Sequence, residues 1–330
     1  MKKYIVIIFL LTSTLIFSQD NKILNKPEWN GYIQLRASSN LKDNSMVMIR
    51  RLKFWVKTKP DISHHLSYKI QVLFTSWNQE KLFLQDAKIK YTKGTLSYDF
   101  GQFIPAYSLQ WTQPDYIIPA IERAEAINIL HTDGTLGVRD IGIQINYNSK
   151  SNVLESHFGL FNGYGIKEYS FNNKGFMLSH KTAIRIRGNN KRFQLGYSLQ
   201  YRKAENLKIQ KLLPDTVFFT GNDFRYNLFA RFESNIFNIQ AEYLTAYLEE
   251  EKSFGYYVLS TINLRNNEIV LGYEYFKNLT DISNYPYYRL GYNYLIKGNN
   301  IKLFFDNYFQ FTAGNVNNYT GSIEIQMFFN

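Results

Sequence analysis

The sequence predicts an all-β protein: a transmembrane antiparallel β-barrel of about sixteen strands with a long third loop folded inward. Three observations point there. Segments of about ten residues alternate apolar and polar side chains, the length of a tilted strand that spans a membrane. The connections alternate between short turns rich in Gly, Asn and Lys and longer loops, as in barrels with short turns on one side of the membrane and long loops on the other. One connection, residues 104–139, is longer than the rest. It carries Trp111, Tyr116, Ile117, Ile118, Ile121, Ile127, Ile129 and Leu130, and is too apolar for a solvated linker.

The chain opens with Lys2 and Lys3 before an apolar run, Tyr4 to Phe17, that ends at Ser18 and Gln19. This reads as a secretory signal peptide over residues 1–18, too short for a spanning helix of ~20 residues. Residues 19–330 then read as a single barrel domain, exported and placed in the outer membrane. Cysteine is absent, so backbone pairing and burial hold the domain. Aromatics are 17% of residues, with 26 Tyr and 26 Phe. So many amphipathic rings suit a surface that is part apolar and part wet, with lipid as one partner. The formal charge of +11 falls to +9 once Lys2 and Lys3 are removed. Export disfavours nucleic acid as the partner, which leaves an anionic membrane surface or small anionic solutes.

The first strand is expected at Gly31–Ala37, with Ile33, Leu35 and Ala37 opposite Tyr32, Gln34 and Arg36. Met46–Lys59, His65–Thr75, Leu82–Thr92 and Thr95–Phe103 follow. Beyond the long loop come Asp140–Asn148, Val153–Asn162, Phe176–Arg187, Arg192–Lys203, Asp223–Glu233 and Asn238–Leu248. Phe254–Leu264, Glu268–Lys277, Tyr287–Ile296, Asn300–Phe311 and Tyr319–Phe329 complete the set. Longer loops are expected at 39–45, 77–81, 163–175, 204–222, 249–253, 278–286 and 312–318. A soluble two-sheet sandwich would also alternate, but its strands are shorter, and its dry core could not hold the basic residues that fall on one face.

That face carries Arg36, Arg51, Lys53, Lys57, Lys69, Lys88, Lys90, Lys181, Arg185, Arg187, Arg202, Arg225, Arg231, Arg289 and Lys302. Opposed to them are Asp86, Asp99, Glu233, Glu242, Glu274, Asp306 and Glu324. A water-filled tube lined by one sign of charge concentrates counter-ions, and rings of Lys and Arg favour anions. The expectation is an anion-favouring pore; a general pore whose cations merely balance carboxylates is the competing one. In the long loop, Glu122 with Arg123, and Arg139 with Asp140, stand as candidate anchors. Each arginine either offers its fork to an oxyanion or pins the loop to the wall.

Several short stretches in order resemble the phosphate-selective porin O and P family of outer-membrane porins. They are Arg50-Arg51-Leu52-Lys53, Asp86-Ala87, Gly101-Gln102-Phe103 with Pro105, Glu122-Arg123, and Arg139-Asp140-Ile141-Gly142. Phe161-Asn162-Gly163, Gln240 to Leu244, and Gly255-Tyr256-Tyr257-Val258 continue the likeness. The resemblance implies a sixteen-stranded barrel, a homotrimer, a third loop folded into the pore and a basic lumen that passes small anions. The chain departs from it in being somewhat short and in ending on Asn330 rather than an aromatic.

No cofactor or metal is expected. The five histidines form no HExxH pair, there is no Cys ligand, and no G-x-S-x-G elbow occurs. Ser179-His180 and Ser156-His157 are neighbours in sequence, so in a strand they face opposite ways and form no dyad. The chain is not expected to be an enzyme. The segment 204–222, with Leu212, Leu213, Pro214, Val217, Phe218 and Phe219, is expected to cover the barrel mouth or meet another subunit.

Overall fold

Alternation along a strand sorts side chains to two faces of a sheet, and here the sheet closes on itself. The computed structural model describes residues 26–330 apart from 61–62, 77–79, 133–137, 166–175, 210–211, 215, 280–285, 313–314 and 330. The segment read as a signal peptide lies outside the described residues. The strands are β1 Glu28–Ser39, β2 Ser45–Thr58, β3 Leu66–Thr75, β4 Lys81–Lys93, β5 Leu96–Phe103, β6 Asp140–Asn148, β7 Leu154–Phe161 and β8 Met177–Gly188. Then come β9 Lys191–Leu207, β10 Phe219–Ser234, β11 Phe237–Leu248, β12 Glu251–Leu264, β13 Asn267–Lys277, β14 Tyr287–Asn299, β15 Ile301–Thr312 and β16 Asn315–Phe329. Each pairs antiparallel with its neighbours in sequence, and β1 pairs with β16 to close a sixteen-stranded barrel.

Closure leaves no free edge. It also turns the usual order of burial inside out. Leu35, Phe54, Ile70, Ile89, Phe100, Ile143, Leu160, Ile184, Leu228 and Leu290 are exposed on the outer wall. Gln34, Arg36, Lys53, Gln71, Asp99, Gln144, Gln200, Arg225, Asn227 and Lys302 are buried within. An apolar exterior around a polar interior is a wall made for hydrocarbon outside, and it excludes the two-sheet sandwich.

Element boundaries differ from expectation at one rim. β9 and β10 continue into the segment read as a loop, because Arg202, Ala204 and Asp223 keep the inward alternation going. The loop expected at 249–253 is a tight turn, with Glu249 at φ 53. β5 ends through Gly101 at φ 113, where a side chain would meet the Ala87 carbonyl at 2.2 Å. Only glycine fits there, and the chain leaves the wall two residues later.

At the rim bearing the long loops, outward rings run across β10–β15: Phe224, Tyr247, Tyr226, Tyr243, Phe254, Tyr275, Tyr256, Tyr273, Tyr288 and Phe309. Successive centroids are 5.3–6.4 Å apart. Such girdles sit where a barrel meets lipid headgroups. At the same rim of β1 and β2 the outward positions are small. Ala37 pairs with Val47, and Ser39 with Ser45.

Residues 104–132 hydrogen-bond inward-facing side chains on strands around the barrel, from Arg36 on β1 to Ser179 on β8, Glu242 on β11 and Asn293 on β14. A segment tied to several sides of a closed wall runs through the interior. It holds a short helix, α1, Glu125–Leu130. Ala126, Ile127, Ile129 and Leu130 of α1 are all buried. Ile127, Ile129 and Leu130 join Leu244, Ala246, Leu259 and Val270 in an apolar cluster. Leu207, Ile209 and Leu212 belong to the same cluster, so this part of 204–222 packs against the loop within the same chain.

Candidate functional site

Strand register sets the charge pattern of the inner wall. Lys57 on β2 lies directly opposite Lys69 on β3, and Lys69 lies directly opposite Lys88 on β4. Three ammonium groups therefore share one level of the wall. Like charges placed opposite one another destabilise a sheet, and two carboxylates offset the cost. Lys69 Nζ is 2.5 Å from Asp86 and Lys88 Nζ is 3.4 Å from Asp99. Lys90, two residues along on the same face, registers with Asp99. Lys69 and Lys88 keep a quarter of their side-chain surface open, and Lys57 is exposed. Farther round the wall, Arg185 of β8 pairs with Glu155 of β7, and Arg187 is exposed beside the turn after β8.

The long loop meets the wall at a cluster of five cations. Gln34 of β1 registers with Arg51 of β2 and Leu35 with Ile49, so Arg50 is the extra residue of a bulge on β2. The regular alternation is broken, so Arg50 and Arg51, adjacent in sequence, reach the same carboxylate. Glu122 accepts from Arg36 Nη1 at 2.7 Å, Arg50 Nε at 2.5 Å and Arg51 Nη2 at 3.2 Å. Seven residues earlier, Asp115 accepts from Lys53, Arg123 and Tyr32. Burial by itself would raise both carboxyls, but Arg50, Arg36 and Arg51 hold Glu122 well below the ordinary carboxylate range. Arg123, Lys53 and Arg51 do the same for Asp115 against the same burial.

Arg123 does not face the open lumen. Its donors go to Asp115, Gln110 O and Gln113 O, and its guanidinium stacks 4.2 Å from the Trp111 ring. Arg139 bonds Asp86 Oδ1 at 3.0 Å rather than its neighbour Asp140. Asp140 instead accepts from the N–H groups of Ile141 and Gly163.

The strongest anchor of the loop was not among the sequence candidates. Glu242 on β11 accepts from Leu109 N at 2.7 Å, Gln110 N at 2.8 Å, Ser108 Oγ at 3.1 Å, Asn227 Nδ2 at 2.9 Å and Tyr257 OH at 2.8 Å. Ser108 sits at φ 61, which turns successive backbone N–H groups toward one point, a nest for an anion. Lys181 Nζ donates to Ser108 O at 2.9 Å from the other side. Asp223 is clamped by Arg202 and Arg225, whose remaining donors reach Gly163 O and Leu130 O. Glu155, Asp223 and Glu268 face inward beyond those counted in the sequence, so the positive excess of the lumen is smaller than expected.

Residues 28–306 match the family described as phosphate-selective porin O and P. The chain belongs to that family. Among solved structures, the porin is similar to OprB of Pseudomonas putida at 12% identity and TM-score 0.69, over 92% of this chain and 94% of that one. It is similar to a loop L8 deletion mutant of OmpT, an outer membrane protein of Vibrio cholerae, at 10% identity and TM-score 0.66, over 93% and 100%. OmpF of Salmonella typhi in complex with daunomycin matches at 13% identity and TM-score 0.64, over 92% and 98%. At these identities the likeness is one of fold. No curated protein matches the chain. Family and barrel together mark an outer-membrane channel.

On the lipid-facing wall of the porin, Ser156 and His180 do meet, across β7 and β8 rather than along one strand. Ser156 Oγ is 3.4 Å from His180 Nε2, and Thr182 Oγ1 is 3.1 Å from the same nitrogen. Among the described residues, the two hydroxyls and the Tyr197 ring are the partners of this imidazole. Three polar groups satisfy one another on an apolar wall.

Proposed function

We propose that this porin lets small solutes diffuse passively across the outer membrane and favours anions, phosphate and related oxyanions among them. The lysine row Lys57–Lys69–Lys88 carries the reading. It places like charges side by side at water-exposed positions, a costly arrangement in a sheet and an effective one in a conduit. Low-dielectric walls focus its field on passing ions. Residues 104–132 narrow the passage, and their apolar side leaves the basic side of the wall for ions to follow.

The test is a reversal potential in a potassium chloride gradient across a planar bilayer holding the purified porin. Chloride preference is the expected result, and Lys69→Gln with Lys88→Gln lowers the chloride-to-potassium ratio by at least about twofold. Equal permeability would identify a general pore, and a silent bilayer would rule out a diffusion pore of either kind. The porin is further read as a homotrimer. One similar solved structure is the trimer form of OmpT of Vibrio cholerae. In this chain the interruption of the aromatic girdle at Ala37, Ser39, Ser45 and Val47 supports contact with a second copy there instead of headgroups.

A further inference from the structure

Glu122 sits in a cradle built from three guanidinium groups. Arg36, Arg50 and Arg51 all donate to its carboxylate, and the bulge on β2 exists at the point where it lets two adjacent arginines do so. The arginines are 6%, 14% and 10% exposed, the carboxylate 30%. The cations form the back of the cradle, and the acid fills its wet front. Glu324 pairs with Arg36 from the other side, through Nε at 2.7 Å and Nη2 at 2.6 Å. Planar forks converging on one point from several directions are what a tetrahedral oxyanion requires. Here a side chain of the loop holds the place.

We infer that Glu122 is a tethered stand-in for the permeating oxyanion. It occupies the cradle, competes with phosphate for the three guanidinium groups, and keeps a passing anion from lodging. Conduction needs binding favourable enough to enter yet weak enough to leave. A resident carboxylate at high effective concentration provides that weakness. This rests on the anion reading above and assigns a residue that tunes it.

The experiment measures the block of chloride current by inorganic phosphate in bilayers holding the unaltered porin, Glu122→Gln or Glu122→Asp. Removing the charge should lower the half-blocking phosphate concentration at least about tenfold, because three guanidinium groups lose their competitor. Glu122→Asp, which keeps the charge but withdraws it by one methylene, should give a smaller fall, and it decides the matter if Glu122→Gln does not insert. An unchanged or raised half-blocking concentration overturns the inference. So does a larger, phosphate-insensitive conductance, which would make Glu122 a loop anchor only. Chloride preference in the unaltered porin with no change in block removes the stand-in alone; potassium preference in the unaltered porin removes the anion reading as well.

Discussion

His131 shows what the interior does to one ring. Its Nδ1 lies 2.9 Å from Thr132 O, and its faces pack edge-on to Tyr107 and Trp111. Burial pushes its pKa down to about 3. The unfolded chain takes up that proton near pH 6.5. Between these values the unfolded state binds the extra proton, so the contribution of His131 is full above about pH 6.5 and is lost as pH falls toward 3. His131→Phe keeps the packing and removes the titration. The fall in unfolding temperature between pH 7 and pH 4, followed by circular dichroism in detergent micelles, should shrink in this variant. Asp115 and Glu122 act in a lower window. Their carboxyls are depressed, so their contribution holds above the ordinary carboxylate range near pH 4 and fades only below it. The loop should therefore keep its single-channel conductance from pH 7 to about pH 4.5 and loosen in stronger acid.

At the scale of the element, the long loop is held by polar anchors on one side and an apolar helix on the other. Glu242→Ala would leave Leu109 N, Gln110 N, Asn227 and Tyr257 without their acceptor. Each orphaned buried donor costs about 1–3 kcal/mol, and the strands of the barrel do not depend on them. The expected phenotype is a porin that still inserts and closes, with larger and noisier conductance steps and a reduced chloride preference. Normal steps would mean that α1 and its apolar cluster suffice to hold the loop. The loop was legible in the sequence as apolar and interrupting. Its anchors were legible only in part. Glu122, Arg139 and Asp140 stood out as charges within it, but Glu242 is more than a hundred residues away, and nothing local announces which of several inward carboxylates will meet it.

For the whole molecule, the interrupted girdle makes a prediction about assembly. The chain has no cysteine, so a single introduced thiol reports without background. Val47 is 85% exposed on the outer wall at the gap. If copies meet there, Val47→Cys should cross-link to a dimer with a short bifunctional maleimide in intact outer membranes. Leu228→Cys, on the girdled side of the wall, should not. Cross-linking at Leu228 alone would place the contact on the other side of the barrel.

Side-chain alternation is a local property, so the sequence alone determined the number of strands and sorted most side chains between lipid and lumen, though it missed Glu155, Asp223 and Glu268. Leu35 and Arg36, or Phe54 and Lys53, could be sorted without coordinates. Closure and register are not local. Only the tertiary structure decided that Lys57, Lys69 and Lys88 stand level, that a bulge turns Arg50 to the side of Arg51, that Arg139 chooses Asp86 over Asp140, and that Ser156 finds His180 across two strands. A one-residue slip or bulge changes neighbours without changing the pattern of any single strand, and the energies that select one register come from partners far away in the chain.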